Sequence, residues 1–206
     1  MPHGTPQPEA SALPKTTPGS HIADPAPLGL GAFALTTFVL SFVNTGLFHV
    51  EPVVFGLALA YGGLAQLCAG MWEFAKGNTF GATAFSSYGA FWISFWWLTG
   101  HSGLDKVTDA NALGDSIGLY LIAWAIFTGY MTIAATRTTG AVLAVFVLLT
   151  ITYVLLAIGA FSASEVITKI GGWVGVATAL AAWYASFAGV VKFTFGRDVV
   201  PVGPRE

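Results

Sequence analysis

Six apolar runs, each about as long as a bilayer is thick, decide what this chain can fold into. They fall at Leu28–Phe48, Val53–Phe74, Thr79–Thr99, Asp115–Thr136, Gly140–Phe161 and Gly171–Phe193. A helix of about 21 residues rises about 30 Å, the depth of the hydrocarbon layer. No water reaches that layer, so each backbone amide must pair inside its own segment, and a helix does this unaided. The links are too short to hold a soluble domain. A water-facing surface is also ruled out, because 9% of the residues are charged against about 25% in soluble domains. The expectation is an all-α integral membrane protein with six transmembrane helices over residues 28–193.

Residues 1–27 are rich in Pro, Ser and Thr and hold no apolar run, which reads as a disordered cytoplasmic tail. The stretch lacks the basic start, apolar core and cleavage site of a signal peptide. Residues 194–206 read as a second cytoplasmic tail. The cations fix the direction. Lys15, Lys76, Arg137, Lys192, Arg197 and Arg205 fall on one side of the six-span arrangement, Lys106 and Lys169 on the other. The positive-inside rule then puts both termini in the cytoplasm and the chain in the cytoplasmic (inner) membrane.

Polarity inside the runs is what lipid does not ask for. In the first run Phe33, Thr37, Ser41 and Asn44 share one helical stripe. Thr and Ser can bond back to their own helix carbonyls, whereas Asn needs a partner or water. Gln66 and Glu73 lie seven residues apart, on one face of the second run. The break after it, Lys76-Gly77-Asn78-Thr79, reads as a left-handed glycine stop followed by an Asn or Thr cap. Ser86, Ser87 and Tyr88 then put hydroxyls inside the third run, and Leu149 and Tyr153 share a face of the fifth with Thr150 beside them. Substrate-binding candidates are therefore Thr37, Ser41, Asn44, Gln66, Ser87 and Thr150. Glu73 is either an interfacial ion pair with Lys76 or a proton-coupling group.

Other classes of function find no residues to carry them. The net charge of −2 gives no argument for nucleic acid. Cys68 is the sole cysteine, which excludes an internal disulfide and a cysteine-rich metal site, and it reads as a small buried hydrophobe. The four histidines are scattered over tail and loops. No paired carboxylates, catalytic dyad, nucleotide loop or metal-ligand cluster is present, so no catalytic residue, metal or cofactor is expected. Trp92, Trp96 and Trp97 toward the outer side, with Trp183 and Tyr184 deeper, read as an interfacial belt plus core. Gly77/Gly81, Gly114/Gly118 and Gly171/Gly175 stand at the spacing that lets helices approach closely, within one chain or between chains. A path of neutral donors and rings, with no Lys or Arg central in any run, suits a small, weakly charged or protonatable solute. A bare anion there would cost several kcal/mol without a cation.

The segments DPAPLGLGAFALTT, YGGLAQ, AGMWEF, GNTFGATAFSSYGAFW, YLIAWAIFT, LLAIG and GGW…AAWYAS, spread over about Asp24 to Gly189, carry a further signal. The chain resembles the acetate uptake transporter family, the YaaH/SatP-type succinate–acetate/proton symporters that include fungal acetate and ammonia-export proteins. In the family's opening motif an Asn stands where this chain has Asp24. The resemblance implies six transmembrane helices per subunit in a homo-hexamer, each subunit with its own path. It implies a constriction of Phe33, Tyr88 and Leu149, and a size-determining small residue at Ala182. The expected partners are acetate, other small monocarboxylates, succinate, protons, membrane lipid and other copies of the chain. Proton-coupled acetate/succinate symport is the leading reading. The alternative is a passive hexameric channel for acetate or acetic acid, urea, an amide or ammonia.

Overall fold

The computed structural model describes residues 22–203. The expected disordered tail, 1–27, lies almost wholly outside them, as do Lys15 and Arg205. Among the described residues there are six long helices and no strand: α1 Ala26–Asn44, α2 Glu51–Lys76, α3 Thr79–Gly100, α4 Ala110–Ala135, α5 Gly140–Phe161 and α6 Glu165–Phe195. All but α3 are long and apolar enough to cross a membrane. At 22 residues α3 has the length, but its Ser, Thr, Tyr and Trp content makes it less apolar than the others.

Local chemistry sets the helix ends. Pro25 and Pro27 start α1, where a missing N–H costs nothing. Gly77 and Gly196 close α2 and α6 in the left-handed region, at φ 83° and 65°. Asn78 caps α3 by accepting from Gly81 N at 3.1 Å. Three ends differ from the sequence reading by more than three residues. α1 stops at Asn44, four residues early, where Thr45 and the left-handed Gly46 (φ 77°) turn the chain. α4 starts at Ala110 because Asp109 accepts from Asn111 N and Ala112 N at 3.0 and 3.1 Å. α6 starts at Glu165, capped by Ser164. In the last two, a capping side chain recruits polar residues that hydropathy assigns to a loop.

α2 is not a plain α-helix. It opens with a 3-10 turn over Glu51–Val54 and carries a π-helical stretch over Ala60–Ala65. The glycines there explain how this distortion packs. A Cβ on Gly62 would sit 2.6 Å from Thr36 Oγ1, and one on Gly63 2.8 Å from Ile93 Cγ1. On α3, a Cβ on Gly89 would meet Leu67 N at 2.7 Å and Gly63 O at 2.9 Å. Helices α2 and α3 therefore cross backbone to backbone, with no room for side chains.

α6 packs along both α1 and α5, and α5 along α4. A Cβ on Gly172 would fall 2.6 Å from Thr45 N, one on Gly171 3.0 Å from Leu156 Cδ2, and one on Gly118 2.6 Å from Phe161 Cε1. The Gly114/Gly118 and Gly171/Gly175 pairs thus serve contacts inside one chain. Gly77 has no neighbour and acts only as a helix stop.

The two ends of the described chain meet at one end of the bundle. Ser186 Oγ donates to Pro27 O at 2.6 Å, and Gly140 N donates to Gly203 O at 2.7 Å. Lys76 and Arg137 lie at this end, called here the basic end; the 101–109 loop marks the distal end. Cys68, expected to be buried, is exposed on the outside of the bundle. Trp92, at 2% exposure, belongs to the core.

Candidate functional site

Two cavities open from opposite ends of the helix bundle. The distal one, about 240 Å³, is walled by Phe33, Thr37, Ser41 and Asn44 of α1, Phe91 and Trp92 of α3, Tyr120 of α4, and Leu149 and Tyr153 of α5. The α1 stripe read from the sequence therefore faces a single space. The basic-end cavity, about 340 Å³, is walled by Leu30, Glu73, Asn78, Ala84, Arg137 and Phe146 among others.

The partition between them is about one helical turn thick on α1 and α5 and nearly two on α3. On α1, Leu30 faces one cavity and Phe33 the other; on α5, Phe146 and Leu149 do the same; on α3, Ala84 and Phe91 flank Tyr88. Residues three apart point almost the same way while rising about 4.5 Å, so each helix supplies both sides of the partition. The Tyr88 ring sits between Phe33, at 5.8 Å between centroids, and Phe146, at 6.1 Å. Phe33, Tyr88 and Leu149 are 4%, 3% and 4% exposed, and Ala182 is fully buried in the same apolar cluster.

Rings and hydroxyls, rather than close backbones, join α3 to α4. Tyr88 stacks edge-on against Phe127 at 5.4 Å, and its hydroxyl shares a 2.9 Å hydrogen bond with Thr128 Oγ1, itself fully buried. Ser94 Oγ and Tyr120 OH pair at 2.6 Å. Two polar atoms of residues lining the distal cavity, Thr37 Oγ1 and Trp92 Nε1, are buried without a hydrogen-bond partner.

At the basic end, Glu73 corrects the sequence reading. It is fully buried, and Asn78 Nδ2 donates to its Oε2 at 2.9 Å. Lys76 does not pair with it; Lys76 Nζ reaches Asp24 Oδ1 at 2.6 Å. The physical reason is position. Glu73 lies under the start of α3, where Asn78 and Gly81 crowd it, while Lys76, at the last turn, is partly exposed and meets the chain entering α1. The interfacial-pair alternative for Glu73 is thereby withdrawn.

The remaining candidates stand outside both cavities. Gln66 is 1% exposed with Oε1 unpaired, and Ser87 is partly buried. Thr150 Oγ1 is bonded to Thr132 Oγ1 at 2.9 Å and to Phe146 O at 2.8 Å. The faces of Gln66 and Thr150 turn toward neighbouring helices, which hydropathy periodicity does not distinguish from a lumen. Glu51, in contrast, lines the distal cavity and was not singled out in the sequence, where it reads as a loop residue before Pro52.

The sequence pattern of the GPR1/FUN34/yaaH family matches residues 3–200. The chain belongs to this family. The succinate-acetate/proton symporter SatP of Escherichia coli is 37% identical over 182 residues, which cover 88% of this chain and 96% of that one. Acetate permease A of Emericella nidulans is 42% identical over 203 residues, covering 91% of this chain and 68% of the permease. Yeast relatives are longer, and the match takes in 63% of their length. A solved structure of the bacterial acetate channel SatP superposes with a TM-score of 0.83 at 37% identity, covering 88% of this chain and 99% of that chain. The fold of this family member is thus shared with a solved relative over nearly all of that relative's length.

Proposed function

We propose that the two cavities are the halves of one path for acetate and other small carboxylates across the cytoplasmic membrane, with the layer of Phe33, Tyr88 and Leu149 as its constriction. The observation that carries this reading is the thin partition: on α1 and α5 residues three apart wall opposite cavities, Leu30 and Phe33, Phe146 and Leu149, with no Lys or Arg among the buried side chains of the described residues. Thr37, Ser41 and Asn44 replace part of the solute's hydration on the distal side. Ala182, in the same cluster, limits the width. All six helices span the bilayer in this reading, with both termini cytoplasmic, and six copies assemble around their exposed apolar faces.

Glu73 is the proton-coupling candidate, because it is a buried carboxylate on the wall of the basic-end cavity with Oε1 unpaired. Labelled acetate uptake into proteoliposomes, with and without an inward proton gradient, tests coupling. Faster uptake with the gradient at matched acetic acid concentration supports symport. Equal rates reduce the path to a channel, a reading that the likeness to an acetate channel also fits.

A further inference from the structure

The distal cavity holds one charged side chain among the described residues that form it, Glu51. It is partly buried and sits in the first turn of α2. None of the ion pairs Asp24–Lys76, Glu165–Lys169 and Asp198–Lys192 takes in Glu51, and no cation lines the cavity beside it among the described residues. An anion entering this apolar-walled space therefore meets a fixed negative charge with little water between them, where screening is weak.

We propose that Glu51 sets the entry of carboxylates into the distal cavity: ionised, it repels them; protonated, it admits them and can offer its O–H as a hydrogen-bond donor. This rests on the cavity being a carboxylate path. It assigns the pH dependence of entry to a group separate from Glu73, which lies at the other end. The groups facing Glu51 across the cavity are Asn44 on α1, Thr99 on α3, Tyr120 on α4, Tyr153 on α5 and Thr168 on α6, all uncharged at neutral pH. The titratable groups around the rim are His49 beside it, His101, Asp105, Lys106 and Asp109 after α3, Asp115 on α4, and the mutually paired Glu165 and Lys169 on α6. None of these rim groups lines the cavity.

The test uses a small carboxylate that stays ionised at both pH values, difluoroacetate, so that only the protein titrates. Its flux into vesicles of the full chain is measured at about pH 3.5 and about pH 7, equal on both sides, which bracket an ordinary carboxyl. Wild-type flux is expected to be about tenfold higher at the acid pH, the size of a close charge repulsion in a partly screened site. Glu51→Gln should be fast at both pH values and Glu51→Asp should keep the slope, with flux of neutral acetamide unchanged in both. A slope that survives Glu51→Gln, a wild type that conducts without a slope, or a Glu51→Gln that also loses acetamide flux overturns the role of Glu51. A wild type that passes neither acetate nor difluoroacetate above protein-free vesicles overturns the carboxylate path as well.

Discussion

Phe33 of α1 and Tyr88 of α3 place their rings 5.8 Å apart at an interplanar angle of 50°, both buried, on the boundary between two cavities. Removing the first ring should join the cavities. Phe33→Ala is expected to raise acetate flux severalfold and to cost about 3–5 kcal/mol of stability through the cavity it leaves. Vesicle uptake together with thermal unfolding checks this; unchanged flux would show that Phe33 does not bound the path.

The Tyr88 ring is held by its hydroxyl. Tyr88→Phe and Thr128→Val each break the 2.9 Å bond between α3 and α4, at a cost of about 1–3 kcal/mol because a buried partner is left unpaired. The double variant is expected to cost less than the two single costs together, since both delete one bond. Additive losses in denaturation midpoints would mean the two hydroxyls act separately.

Width is set by smaller side chains. Leu149→Ala and Ala182→Gly should both let lactate and succinate compete with labelled acetate more strongly than in the wild type. Ala182→Gly should also lower stability by about 1 kcal/mol, the helix cost of glycine. Competition as weak as in the wild type would remove these residues from the constriction.

Glu73→Gln keeps an oxygen to accept from Asn78, so the basic end should stay folded. Its expected effect is on coupling: uptake continues and ceases to respond to an inward proton gradient. A gradient response equal to that of the wild type would clear Glu73 of that role. Asn78→Ala, which deletes the α3 cap and the donor to Glu73 together, should lower stability by about 1 kcal/mol for the cap alone.

The close crossing of α2 and α3 leaves no room for a methyl group. Gly89→Ala would put Cβ 2.7 Å from Leu67 N and 2.9 Å from Gly63 O, backbone atoms that cannot rotate away. A loss of about 1–3 kcal/mol or more is expected from such overpacking, read as lower folded yield and melting temperature.

What was legible in the sequence follows a physical line. Hydropathy marks segments that prefer lipid, and spacing marks residues that share a face. The helices and the common wall formed by Phe33, Thr37, Ser41 and Asn44 follow from those two signals; the Gly77 stop follows from glycine's left-handed freedom, and side-chain chemistry leaves the cap between Asn78 and Thr79, of which the structure uses Asn78. Neither signal says what a face touches. Gln66 and Thr150 were therefore grouped with Thr37, although the structure turns them away from both cavities. The Asp24–Lys76 pair joins residues 52 apart in the chain, and no local spacing encodes it. The π-helical stretch at Ala60–Ala65 depends on Gly62 and Gly63 meeting Thr36 and Ile93, a tertiary demand. Glu51 was passed over because a carboxylate beside a proline at the end of a loop is ordinary. Only the fold brings it to the mouth of the distal cavity.

The central claim is that solute passes through the distal cavity, and a bulky group placed there should stop it. In a Cys68→Ser background, which removes the outward-facing thiol, Asn44→Cys is labelled with a methanethiosulfonate reagent and acetate uptake is measured before and after. Labelling is expected to abolish most of the uptake and to be slowed by acetate. Complete labelling with undiminished uptake would contradict a path through this cavity.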